Sequence, residues 1–325
     1  MESTIFKFMT SPINQDKYIF IVIIKCLATL LITNAHIGPF YPENIRFLSF
    51  GGALGNALFF FCSGYILTSS IKKRDYLSWL LHRIFRIMIP TWIFLTLSSF
   101  YHGMTFDILK FICTPYWFIN AIIIFYLLYY PIIKHLSDYI IHIYISLYFF
   151  TIILFYITEH NHWMIEECVN NIYIHYLYYF SIMLIGGWIS IFKNNILIVK
   201  SLKKSILSIL FSFSIYMSIK YNIIHTIYPI YSLQLLLPIL LLIFSLFVYN
   251  TSLIICKMHI KEKVNIVIKR LSNITLEIYL VQFVIMDIFK NIIFPYGLLL
   301  VVIFIYLTAE LLHNFSLFIL KKLKL

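Results

Sequence analysis

Lys25 and His36 stand eleven residues apart in one apolar run. Eleven helical steps of about 100° come to roughly 1100°, about 20° past three full turns. A helix there projects both side chains from one face, about 16 Å apart along the axis. A lysine inside a membrane helix costs about 2.5–3.5 kcal/mol, so it normally faces a polar cavity. His36 is a titratable group that can act as a general base. The bland alternative is a structural histidine at a helix end.

Arg83 and Arg86 form a second set, within the basic run 72–90. Three residues apart on a helix, they share a face. Two guanidiniums presented together suit a phosphate or pyrophosphate; the alternative is a grip on lipid headgroups. The third set lies near the ends of later apolar runs: Trp117 and Asn120, then Glu277, Gln282 and Glu310. Glu277 and Glu310 fall within apolar runs, where a carboxylate is costly unless paired. An ion pair with Lys25 or another base competes there with a catalytic role.

The elements that must position these residues are membrane helices. The chain of 325 residues is 62% hydrophobic and 12% charged, whereas a soluble domain is nearer half apolar and a quarter charged. Apolar runs of about 20 residues, each long enough to span a bilayer, recur along the chain. They predict an all-α polytopic bundle of about ten helices, near 18–37, 50–70, 87–103, 116–134, 139–157, 172–192, 205–222, 230–250, 273–290 and 296–318. Outside these spans, 20 Lys and Arg fall in loops read as internal, and Arg46, Lys110, Lys220 and Lys290 in loops or ends read as external. That bias places both termini in the cytoplasm. The chain reads as a single domain over 1–325, with a cytoplasmic N-terminal segment (1–17) and a basic tail (318–325). The N-terminal segment does not resemble a cleaved signal peptide. The net charge of +12 is assigned to topology and to contact with anionic membrane lipids, not to nucleic acid.

Other chemistries find little support. Cys26, Cys62, Cys113, Cys168 and Cys256 show no CxxC or CxxH spacing, so no metal site is expected. A Cys113–Cys168 disulfide outside the membrane is the lesser alternative to free thiols. Loop 158–171 carries Glu159, His160, His162, Glu166 and Glu167 and reads as solvated rather than metal-binding. Gly51-x-x-x-Gly55 permits close helix packing, with room for a ligand as the competing reading. No Walker-type phosphate loop and no Gly-x-Ser-x-Gly elbow occur.

Taken in order, the motifs resemble those of acyltransferase family 3, the bacterial membrane O-acyltransferases that modify surface glycans. KCLATLLITNAH (25–36) resembles the family's Arg, ten residues, then His; Lys25 stands in the arginine position. FFFCSGYIL (59–67), with Ser63, resembles FF-x-x-SG-(F/Y)-x-L. HRIFRIMIP (82–90) matches Arg-x-x-Arg followed by proline. PYWFINAIIIFYLLYYP (115–131) and LSNITLEIYLVQ (271–282) resemble the two later elements, with Thr275 for a serine and Gln282 for a histidine.

The resemblance implies an acyl-CoA donor, acetyl-CoA above all, reaching the site from the cytoplasm, and no permanently bound cofactor. Arg83 and Arg86 would hold its phosphates. Its pantetheine arm would pass Lys25, a catalytic candidate that would stabilise developing negative charge or a CoA group, toward His36, which would deprotonate an acceptor hydroxyl or carry the acyl group. The acceptor would be a glycan or lipid-linked glycan on its way to O-antigen, capsule or exopolysaccharide, and the protein would lie in the bacterial cytoplasmic (inner) membrane. Ser63, Trp117, Asn120 and Glu277 would line the cavity. A lipid-linked glycan flippase or small-molecule transporter is the competing class. It explains the helices and Lys25 but not the Arg83-x-x-Arg86 and Ser-Gly motifs. A glycan polymerase would ask for a larger outer loop.

Overall fold

The computed structural model describes residues 18–71, 75–101, 103, 113–157, 172–192, 198–225, 231–258 and 262–323. Among them every regular element is helical and none is a strand. Lipid cannot hydrogen-bond a backbone, so each segment satisfies its own N–H and C=O groups as a helix. The helices are α1 (Ile19–His36), α2 (Gly52–Ile71), α3 (Tyr76–Tyr101), α4 (Trp117–His135), α5 (Ile140–Ile157) and α6 (Ile172–Phe192). They continue with α7 (Leu202–His225), α8 (Leu237–Cys256), α9 (Glu262–Asn273), α10 (Thr275–Phe289) and α11 (Tyr296–Lys322). Nine helices among the described residues are long and apolar enough to cross a membrane. The pair α9–α10, bent by 70° at its break, makes a tenth candidate. Nine of the ten expected spans are thus spanning helices, the tenth falls on this broken pair, and the chain is a multi-pass membrane protein.

Two boundaries differ from the sequence expectation. The third span was expected from 87, but α3 is continuous from Tyr76 to Tyr101. The basic run supplies its first turns, because Leu, Trp, Ile and Phe there favour helix and no breaker precedes Pro90. Pro90 lies inside the helix and cannot donate to the carbonyl of Arg86, four residues back. The second difference is α9, which sits where a loop was expected. Val264, Val267, Ile268 and Leu271 share one face of it, and most of its charged and amide residues lie elsewhere around the helix. That periodicity makes it amphipathic.

Helix α1 is the hub, packing on α2, α8, α9 and α10. Glycines allow its close contacts and those of α2. A Cβ on Gly55 would lie 2.7 Å from Ile32 Cγ1 and 2.8 Å from the Ala28 carbonyl oxygen. A Cβ on Gly64 would strike the Met183 carbonyl of α6, and one on Gly186 would strike the Phe61 carbonyl of α2. The small residues thus serve backbone approach, as in membrane helix pairs generally. In the last turn of α1, Asn34 Nδ2 donates to the carbonyls of Leu48 (2.7 Å) and Phe50 (3.0 Å), and the Tyr41 hydroxyl donates to Asn34 Oδ1 (2.9 Å). These bonds hold the connection to α2 against the end of α1 that carries His36.

Candidate active site

A cavity of about 190 Å³ opens between α1, α2, α3, α4, α10 and α11. Its polar lining includes Lys25, Ser63, Arg83, Arg86, Glu277 and His313. Helical period explains the convergence. Arg83 and Arg86 occupy one face of α3, and Pro90, one turn further, continues it into the cavity wall. Lys25 lies on the face of α1 that meets the α9–α10 break.

Lys25 Nζ donates to the carbonyl of Ser272 at 2.9 Å. Ser272 is in the last turn of α9, where carbonyls lack helical partners and a cation is favoured. Thr275 Oγ1 donates to the same carbonyl (3.1 Å) and accepts from the Thr29 hydroxyl (3.0 Å). Two residues of α1, one turn apart, therefore pin the break in the α9–α10 pair. Lys25 makes no ion pair with Glu277. Instead Glu277 Oε1 lies 2.7 Å from Nδ1 of His313. Glu277 is 5% exposed, and its first-turn position on α10 suits a negative charge. Glu310 is also paired, accepting from the Tyr306 hydroxyl at 2.9 Å and facing Arg270 Nε at 3.7 Å. The carboxylates in apolar runs do have partners, but not the lysine.

His36 stands apart from this cavity. Its ring packs edge-on against Phe283 (centroids 4.9 Å) and Tyr279 (6.4 Å) of α10. Phe283 in turn stacks with Tyr116 at 6.2 Å. Between the cavity and His36 lies a much smaller space of about 10 Å³. Thr29, Ile32 and Thr33 of α1 line it, with Phe59, Phe118, Thr275, Leu276 and Tyr279. Phe59, Phe118, Thr275 and Leu276 border both spaces. A wide cavity, a constriction that holds about one water, and a half-buried imidazole thus follow one another along α1.

The candidates separate accordingly. Lys25, Ser63, Arg83, Arg86 and Glu277 meet in the cavity, and His36 lies beyond the constriction. Trp117 and Asn120 line neither space. Trp117 stacks on Tyr179 (5.9 Å), and Asn120 Nδ2 donates to the Thr114 carbonyl (2.8 Å) while its Oδ1 accepts from the Thr114 hydroxyl. Both hold the start of α4, because the rotation of about 100° per residue carries them away from the face of Ile119 and Ile122. Gln282 is fully buried, and neither amide atom has a hydrogen-bond partner. His313 was missed by sequence reasoning; the signal available was a histidine three residues after Glu310 in the last apolar run. Among the described residues no group of His, Cys, Asp and Glu could hold a metal. Cys113 is a free thiol; Cys168 and loop 158–171 lie outside the described residues.

In this helical bundle a cation-lined cavity and an imidazole lie at separate stations along one helix. The chain is a membrane acyltransferase: residues 18–312 match the model of an acyltransferase domain, and the chain belongs to acyltransferase family 3. No curated protein and no solved structure matches it.

Proposed function

We propose that the protein transfers an acetyl group from acetyl-CoA to a hydroxyl of a cell-surface polysaccharide across the bacterial inner membrane. The observation that carries this reading is the convergence of Lys25, Arg83 and Arg86 on one cavity, with His36 further along the same helix. In this reading the cavity opens to the cytoplasm, and its arginines take the phosphates of the donor. Charge-assisted bonds from guanidinium to phosphate are about twice as strong as neutral ones. The pantetheine arm follows α1 past Thr29 and Thr33 and brings the thioester to His36.

His36 then removes the proton of the acceptor hydroxyl as its oxygen attacks the thioester carbonyl. The C–S bond breaks, and the departing thiolate takes that proton to leave as CoA thiol. The rings of Tyr279, Phe283 and Tyr116 exclude water around the imidazole, which limits hydrolysis of the thioester. Lys25, held on Ser272, keeps the α9–α10 break closed around the cavity and adds positive charge beside the arm.

The test supplies purified protein with labelled acetyl-CoA and a glycan acceptor. Wild type transfers label and His36→Ala does not, while His36→Ala still binds acetyl-CoA. Transfer unchanged in His36→Ala removes His36 from the chemistry. Unchanged acetyl-CoA affinity in Arg83→Ala/Arg86→Ala returns those arginines to a topological role.

A further inference from the structure

We propose that His313, with Glu277 as its counter-ion, is a phosphate ligand for the donor nucleotide beside Arg83 and Arg86. The proposal rests on the acyl-CoA reading above and adds a residue one position beyond the stretch that matches the family model, which ends at 312. Four observations carry it. First, His313 and Glu277 both line the cavity that holds Arg83, Arg86 and Lys25. Second, the direct partner of Glu277 is His313 rather than one of these cations. Lys25 Nζ gives one of its three protons to the Ser272 carbonyl, and the hydrogen bond to Glu277 comes from the His313 ring at 2.7 Å.

Third, Glu277 Oε2 is buried with no hydrogen-bond partner. The carboxylate's charge is therefore directed at the imidazole rather than shared among several donors. Fourth, the bond uses Nδ1, so the ring is fixed in orientation and its Nε2 is left for another partner. The His313 side chain is 21% exposed, and among the described residues Nε2 is not a buried orphan. In metal sites a carboxylate orients an imidazole in this way through one nitrogen and leaves the other to the ligand; toward a phosphate the free nitrogen acts as an N–H donor.

In the donor complex the ring carries both protons: Nδ1–H to Glu277 and Nε2–H to a phosphate oxygen. His313 from α11, Arg83 and Arg86 from α3 and Lys25 from α1 then surround the anion from three helices, with one buried carboxylate as internal balance. His313 is a binding residue in this account. Glu277 is a positioning residue that acts through it.

The experiment uses the full chain in lipid nanodiscs. Binding of acetyl-CoA and of adenosine 3′,5′-bisphosphate is measured for wild type, His313→Ala, His313→Arg and Glu277→Gln, and transfer kinetics are run with acetyl-CoA and with acetyl-pantetheine, which lacks every nucleotide phosphate. A hydrogen bond between charged groups contributes about 1.5–3 kcal/mol, or roughly 10- to 150-fold in affinity. His313→Ala should lose about that factor for both nucleotides and raise KM for acetyl-CoA alike. Its kcat at saturation and its KM for acetyl-pantetheine should stay at wild-type values. Glu277→Gln should follow in the same direction, and His313→Arg should recover part of the affinity.

An equal rise in KM for acetyl-pantetheine would show that the substitution merely disturbs packing, and it overturns the proposal. So does nucleotide affinity within about twofold of wild type in His313→Ala. Wild-type protein that neither binds nor uses acetyl-CoA refutes the donor assignment itself, a result visible without any variant.

Discussion

The constriction between the cavity and His36 gives a prediction that separates donor binding from donor delivery. The space there is about 10 Å³ and is bordered by Thr29, which is 3% exposed. Replacing Thr29 by leucine adds side-chain bulk to a site with room for about one water. Overpacking of this kind costs about 1–3 kcal/mol, and the added methyl groups occupy the path of the pantetheine arm. A block that raises the barrier by about 3 kcal/mol slows transfer by roughly 150-fold.

The control is Thr29→Val, which keeps the shape and removes the hydroxyl. That hydroxyl donates to Thr275 Oγ1 at 3.0 Å, and Thr275 still has the Ser272 carbonyl at 3.1 Å after the change. No buried donor is orphaned, so Thr29→Val should cost only about 0.5–1.5 kcal/mol of stability and leave the path open. The assay is single-turnover label transfer from acetyl-CoA beside equilibrium binding of the same donor. Thr29→Leu should lose transfer and keep nucleotide affinity, whereas Thr29→Val should keep both within a few-fold. Wild-type transfer by a folded Thr29→Leu protein would refute a route along α1.

Other expectations follow from single contacts. Lys25→Met removes the donor to Ser272 and should speed hydrogen exchange over 262–275 while weakening acetyl-CoA binding; unchanged exchange would show that Lys25 does not pin the break. Asn250 is fully buried, accepts from the backbone N–H of Ile198 (2.7 Å) and Val199 (3.1 Å), and donates to the Val199 carbonyl (3.0 Å) and Ser205 Oγ (2.8 Å). At about 1 kcal/mol per bond, Asn250→Ala should lower the melting temperature in detergent markedly without changing KM in the protein that remains folded. Gly186→Val drives side-chain atoms into the Phe61 carbonyl. It should cost about 3 kcal/mol or more, seen as loss of monodisperse protein on size exclusion, whereas Gly103→Ala, which meets nothing within 4 Å but sits at φ +61°, should cost only the left-handed backbone strain of about 1–2 kcal/mol.

Much of the architecture was legible because hydropathy runs at the length of a bilayer crossing admit few alternatives. The Lys25–His36 stripe and the Arg83–Arg86 face were legible for the same local reason: helical period is a property of spacing. Helix α9 was not, since twelve residues with several charges resemble a loop until their apolar face is traced at 3.6-residue period. The motif position of Trp117 and Asn120 points to the cavity, but a rotation of about 100°, one residue's step, decides which residue of α4 looks inward. Glu277 was recognised as needing a partner, yet its partner is 36 residues away on another helix.

Composition and spacing alone establish that this is a multi-pass helical protein, which residues share a helical face, and which polar groups are too costly in lipid to be idle. Those conclusions follow from free energies of single residues and from the geometry of one helix. Only the tertiary structure decided that Lys25 donates to a carbonyl 247 residues distant, that Glu277 belongs to His313, and that a constriction stands between the arginines and His36. Such pairings depend on which helix faces which and at what depth. Packing of whole surfaces sets that, and no local spacing encodes it.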